Sequence, residues 1–436
     1  VRATPAPEDH MTDLAIREPS AGQPSVIAPA RPGTRVRWWV PVLAFVAIGA
    51  VLWCVAALAA THLPRDAYFP RPEHVAGGSW FEGWQRWDAY WYRAIVRDGY
   101  EYDPGVQSSV AFFPGYPIVV WLASGLFPSI FVTGTVVTVL SGLVAAVTFY
   151  RWCALRLSPA AAGTALLALL LYPYAWYLYG PIYADALCLA AALVAFYAVE
   201  RDQLWVAGLA GFVASASRLV GLMVAVALVL RVIERRNAAI HAHMLPATDP
   251  DGRCRVGWRT ELQRRLSPRG FTHHDAPVLL AFGGFASWCT YLWIRFGDPF
   301  LFSTVQSAPG WDQSTGPATW VKARLIGEVF RDPNWHTAEK LLQAAFAIGV
   351  LLAVPRVARR LGWAYAALAL GAVLLPLVGT KDFMGTGRYL LAAFPVFAVV
   401  GELLSERPRL RLGVLTGSGL VLVVFTTLFA RGSYLS

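Results

Sequence analysis

Asp88 is the residue around which chemistry can be built. It stands in the run Ser79-Trp80-Phe81-Glu82-Gly83-Trp84-Gln85-Arg86-Trp87-Asp88-Ala89-Tyr90-Trp91-Tyr92-Arg93, unusually dense in tryptophan and tyrosine. A carboxylate held there can serve as a general base, or it can simply pair with a neighbouring arginine. Asp98, just before Gly99, fits better as the end of a helix than as a second acid. Arg218 breaks an otherwise apolar stretch from Leu204 to Leu230. A guanidinium inside such a stretch is costly and marks a functional site unless it snorkels to the surface. Lys381 and Arg388 lie in the glycine-rich segment Gly379-Thr380-Lys381-Asp382-Phe383-Met384-Gly385-Thr386-Gly387-Arg388. They can bind an anion there or pair internally with Asp382. His336 and Trp335 are further polar and aromatic groups of the loop 296–338, with no motif around them.

Other chemistries find little support. Asp185, Asp298, Asp312 and Asp332 are scattered without ligand spacing, and the pairs His241/His243 and His273/His274 have no companion ligands. No metal or cofactor is therefore expected. Cys54, Cys153, Cys188, Cys254 and Cys289 show no CxxC spacing, so no disulfide framework is implied. Phosphate-loop and dinucleotide fingerprints are missing.

The elements that must position these residues are apolar helices. Of 436 residues, 56% are hydrophobic and 15% charged, against about 25% charged in soluble domains. With a mean hydropathy of +0.48, a water-soluble enzyme, a disordered chain and a small disulfide scaffold are all excluded. The net charge of +10 collects at the ends of apolar runs, as it does on the cytoplasmic side of membrane proteins, which argues against nucleic acid as a partner. Apolar stretches at 39–61, 130–152, 160–176, 184–199, 204–216, 219–232, 277–294, 339–354, 363–378, 389–404 and 412–429 predict an all-α polytopic membrane protein of about eleven spans. The polar stretch 1–38 is expected to be a disordered cytoplasmic tail and 39–436 one multi-pass membrane domain. The loop 63–111 is expected outside, the basic loop 231–275 inside. The short apolar piece 112–127 is expected as a juxtamembrane or re-entrant helix.

Within the loop 63–111, Trp80, Trp84, Trp87 and Trp91 fall at helical spacing on one stripe. Arg86, Arg93 and Arg97 fall on nearly the opposite face. The pattern predicts a short amphipathic helix, either lying in the membrane interface or packing on neighbouring helices. Asp88 would then sit at the edge of its aromatic face.

The segments Arg86-Trp87-Asp88-Ala89-Tyr90-Trp91-Tyr92-Arg93-Ala94-Ile95, Gly99-Tyr100 and Phe112-Phe113-Pro114-Gly115-Tyr116-Pro117 resemble the PIG-V family. These are membrane mannosyltransferases of GPI-anchor assembly and their bacterial relatives, within the glycosyltransferase C superfamily. Tyr183-Ala184-Asp185-Ala186-Leu187, Ser217-Arg218-Leu219-Val220-Gly221 and Arg388-Tyr389 before Pro395 extend the likeness. Ala89, Val96 and Gly115 depart from the family's usual Gly, Ala and Leu.

The resemblance implies a glycosyltransferase C-like helical bundle with interfacial helices in its long first outer loop. It also implies an inverting transfer of mannose from a polyprenyl-phosphate donor to a lipid or glycolipid acceptor of the cell envelope. The reaction would take place on the extracytoplasmic side of the cell membrane. Asp88 would be the base, with Arg218, Lys381 and Arg388 binding the donor phosphate. Trp87, Tyr92, Tyr116 and Asp185 would support them. A single displacement needs only one such base, unlike the carboxylate pair of a retaining glycosidase. The same fold could carry arabinose or glucose. A lipid-linked-sugar flippase or transporter is the rival of a different class, although it would place its polar groups near the bilayer midplane.

Overall fold

The computed structural model describes residues 37–66, 78–242, 263, 265–313, 316–331 and 333–435. The expected tail therefore falls almost wholly outside the described residues, as do 67–77 of the first loop and most of 243–264. Among the described residues there is no strand, and each predicted apolar stretch holds a helix, although the one expected over 160–176 ends at Leu170 and the chain turns through 171–174.

Among the described residues five helices are long and apolar enough to cross a membrane: Trp39–His62, Ile130–Ala154, His273–Phe296, Trp335–Leu361 and Pro408–Arg431. A sixth arises if the pair Thr386–Ala392 and Phe394–Ser405, bent by 81°, counts as one span. The apolar helices Pro159–Leu170, Leu204–Ser217 and Trp363–Gly379 are shorter. So is Gly115–Leu126, which at 1.5 Å per residue reaches only about 18 Å against a hydrocarbon core of about 30 Å. The helices start and stop on ordinary signals. Ser158 caps Pro159–Leu170, with proline at its first position, and left-handed Gly432 ends Pro408–Arg431.

The innermost helix is Asp185–Glu200, whose residues are buried on nearly all sides. It packs against Ile130–Ala154, Leu204–Ser217 and Val220–Ala242. Outward-facing Leu43, Val46, Val51 and Leu58 of Trp39–His62 stay exposed, as a lipid-facing helix requires. The two ends of Asp185–Glu200 are held by charge. Asp185 is ion-paired with Arg218. Glu200 is ion-paired with Arg156 and Arg231 and accepts a 2.7 Å hydrogen bond from the Tyr365 hydroxyl.

Two loops are more ordered than the sequence implied. Val220–Ala242 continues through the basic residues 231–236, where no glycine or proline stops it. The loop 296–338 carries the helices Leu301–Thr304, Pro317–Trp320 and Ala323–Arg331, too short for periodicity to reveal.

Candidate active site

The predicted amphipathic helix is broken. Ser79–Glu82 is one turn, the chain is non-helical through Trp87, and a second helix runs Asp88–Asp98. The tryptophans do not share a face. Trp80 is exposed while Trp84 is fully buried; the Trp84 ring lies so close to Gly180 that a Cβ there would meet it at 2.5 Å. Arg86 is not on a polar face either. It is buried and donates to the Ala430 carbonyl at 3.1 and 2.9 Å, tying the loop to the end of Pro408–Arg431. Tertiary contacts thus override the helical repeat.

The break is what places Asp88. Trp87 takes φ 52°, a left-handed conformation rare outside glycine. It is fixed there by an indole N–H bond of 3.3 Å to the Ser433 carbonyl and by its ring on Tyr434, 4.7 Å between centroids. Asp88 becomes the first residue of the new helix, where the helix dipole favours a negative charge. Its backbone N–H donates to the Tyr183 hydroxyl at 3.2 Å. At the other end Asp98 pairs with Arg97 at 2.6 Å in solvent, which holds its carboxyl below the usual range.

Arg388 Nη1 donates to Asp88 Oδ2 at 3.1 Å. The Arg388 guanidinium also lies 5.9 Å from the ring centroids of Tyr177 and Tyr183, and its buried Nε has no hydrogen-bond partner among the described residues. Burial pushes the Asp88 carboxyl above its ordinary range, with Arg388 and Arg218 pulling it part of the way back. Arg218 sits at the corner between Leu204–Ser217 and Val220–Ala242, in extended backbone. It is ion-paired with Asp185 and lies 4.8 Å over the Tyr389 ring. Two glycines permit this corner. A Cβ on Gly221 would meet the Ala214 carbonyl at 2.1 Å, and one on Gly115 would meet Ser217 Oγ at 2.6 Å.

Asp88, Arg388 and Arg218 line one cavity of about 720 Å³. Tyr92, Tyr389 and Tyr434 line it too, and Phe112 and Phe113 bring in the second motif. The segment 300–313, unremarked in the sequence, contributes Ser303, Gln306, Trp311 and Gln313.

Of the other predicted residues only Tyr92 is in the lining; Lys381, Tyr116, Trp87 and Asp185 lie around the cavity. Lys381 does not pair with Asp382. Its ammonium donates to the Trp311 carbonyl at 2.9 Å and lies 3.5 Å from Asp312, while Asp382 pairs with Lys340 at 2.9 Å. Tyr116 is buried and donates to the Gly134 carbonyl at 2.7 Å, and its ring meets Tyr92 edge-on. Tyr92 is buried against Tyr116, and its hydroxyl is pushed upward by that burial. Trp87 and Asp185 support the two charged residues that follow or face them. Trp335 and His336 lie against each other, ring centroids 3.8 Å apart, at the start of Trp335–Leu361. Among the described residues no three His, Cys, Asp or Glu side chains gather as a metal ion would need.

No protein-family model and no curated protein matches the sequence. Among solved structures the chain is similar to ArnT from Cupriavidus metallidurans bound to undecaprenyl phosphate. The two are 15% identical over 90% of this chain and 76% of that one, with a TM-score of 0.45. It is also similar to the oligosaccharyltransferase AglB of Archaeoglobus fulgidus in complex with an inhibitory peptide and a dolichol-phosphate. There the identity is 13%, the coverage 91% of this chain and 57% of that one, and the TM-score 0.40. The chain thus spans just over half the length of that oligosaccharyltransferase.

Proposed function

We propose that the protein is an inverting glycosyltransferase that uses a polyprenyl-phosphate sugar, with Asp88 as its base. The observation that carries this reading is the meeting of Asp88, Arg388 and Arg218 in the wall of one cavity at the ends of apolar helices. The acceptor hydroxyl gives its proton to the Asp88 carboxylate as its oxygen bonds to the anomeric carbon. The bond from that carbon to the phosphate oxygen breaks on the opposite face. The electron pair leaves with the phosphate, and guanidiniums stabilise the charge that develops there. Arg218 lines the cavity for that purpose, beside Arg388, whose Nη1 stays on Asp88. A planar fork holds phosphate oxygens in a way an ammonium cannot.

Lys381, outside the lining, is left as a support of the loop rather than a phosphate ligand. The uncharged Ser303, Gln306 and Gln313, beside Trp311, suit a hydroxyl-bearing lipid or glycolipid acceptor. The Trp87-Asp88 and Phe112–Pro117 motifs support mannose as the sugar and the extracytoplasmic face of the cell membrane as the place of reaction.

The test is transfer from radiolabelled polyprenyl-phosphate-mannose to cell lipid extract by purified protein. Transfer that is lost in Asp88→Asn supports the reading. Product formed equally by both proteins would remove Asp88 from the mechanism, and transfer only from a different sugar donor would replace mannose.

A further inference from the structure

Trp335–Leu361 carries Glu339, Lys340 and Gln343, all buried, in a helix otherwise apolar enough to cross a membrane. Such groups are costly unless they do something, and Glu339 and Gln343 have no part in the site described so far. Gln343 is fully buried. Its Oε1 accepts from the Gly387 backbone N–H at 2.8 Å and its Nε2 donates to Glu339 at 3.1 Å. The same Glu339 oxygen accepts from the Tyr174 hydroxyl at 3.3 Å. The Gly387 carbonyl accepts from Tyr172 at 3.1 Å, and its α-carbon lies against the Tyr174 ring, where a Cβ would come within 2.4 Å. Side chains therefore hold Gly387 on three sides. The next residue is Arg388.

We propose that Gln343 is a positioning residue, fixing the Gly387 peptide so that the Arg388 guanidinium stays on the Asp88 carboxylate. The rest of the segment is pinned in the same way. Lys322 donates to the Leu377 and Thr380 carbonyls, Gln313 accepts from the Lys381 N–H at 3.0 Å, and Lys340 pairs with Asp382. Gln343 is the nearest of these ties to Arg388. An error of about 1 Å in a reacting group can cost about a hundredfold in rate, so a loose Gly387 matters to the chemistry. The inference rests on the reading of Asp88 as base only for that consequence; the placement itself does not.

Its test reads Asp88 directly. Carbodiimide couples to protonated carboxyl groups, and its extent at Asp88 can be followed against pH by peptide mass spectrometry on the full-length purified protein. The charged and titratable groups facing Asp88 are Arg388, Arg218, Asp185, Tyr92, Tyr177 and Tyr183. Arg388→Gln removes the nearest cation and should move the labelling midpoint to higher pH. Gln343→Met keeps the length of the side chain and removes the hydrogen bonds to Gly387 and Glu339. It should move the midpoint in the same direction, by roughly one pH unit, a tenfold change in the protonated fraction. The double variant should lie no higher than Arg388→Gln alone.

A Gln343→Met midpoint at the wild-type value, or shifts that add in the double variant, would overturn the proposal. Should Gln343→Met fail to fold, Tyr172→Phe removes the other hydrogen bond on Gly387 and keeps the ring. An upward shift there supports the proposal and an unmoved midpoint overturns it. Because labelling needs no turnover, a wild type that transfers no sugar would sink the proposed reaction and leave this result standing.

Discussion

At the scale of single residues, Asp88 balances burial, which disfavours its charge, against two guanidiniums that favour it. A base must be ionised, so kcat/KM should fall on the acid side with a midpoint above the ordinary carboxylate value of about 4. Arg388→Gln should move that limb further up, because it removes the cation and leaves the burial. A limb that stays put would show that another group titrates. Asp88→Asn should lower turnover about 10²–10⁴-fold without loss of folded protein, measured as rate per monodisperse molecule. Arg218 needs a paired experiment, since Arg218→Ala strands the buried Asp185 carboxylate and should cost about 3–5 kcal/mol. Adding Asp185→Asn should recover stability and not turnover, whereas recovery of both would reduce Arg218 to a counter-ion. Asp88 was conspicuous in the sequence because a carboxylate beside Trp87 in an aromatic run is unusual. Its ion-pair partner was not, because Arg388 stands three hundred residues away. Lys381 and Arg388 have equivalent claims as charges in a glycine-rich loop, and only tertiary packing separates the one that reaches the cavity from the one that does not.

At the scale of elements, the apolar helices were legible because each buries or exposes a long apolar surface, and twenty such residues leave few other folds in lipid. The broken segment 79–98 was not. Its tryptophans keep helical spacing, yet Trp84 is drawn into the core and Arg86 onto the end of Pro408–Arg431, so long-range contacts decide where the helix restarts. The short helices of 296–338 were illegible for a different reason, having too few residues to show a period. Gly115 is a place where the element-scale reading becomes a prediction. Its resemblance-based expectation was leucine, but here it lies against Ala216 and Ser217, beside the Arg218 corner. Gly115→Leu should cost about 1–3 kcal/mol by overpacking and reduce turnover through the displaced corner. Thermal unfolding and specific activity, measured together, check both parts; unchanged values for both would mean the two segments have room to part.

At the scale of the whole molecule, the proposed orientation of the bundle is tested by labelling from one side. We expect exposed Ser79 and exposed His274 on opposite sides of the membrane. In a background without native cysteines, an impermeant thiol reagent on intact cells should label Ser79→Cys and spare His274→Cys; labelling of His274→Cys alone would invert the orientation. The innermost helix has a further consequence. Asp185 and Glu200 each answer to arginines of neighbouring segments, about 22 Å apart along an axis that turns 100° per residue. That makes the helix a gauge of fixed length and phase. One inserted residue would swing one carboxylate a quarter-turn away from its arginine and into an apolar wall. Scanning the chain with single-alanine insertions should therefore find the exposed turn at Gly105 permissive and every position between Asp185 and Glu200 forbidden, so that natural variation in chain length must be confined to the loops.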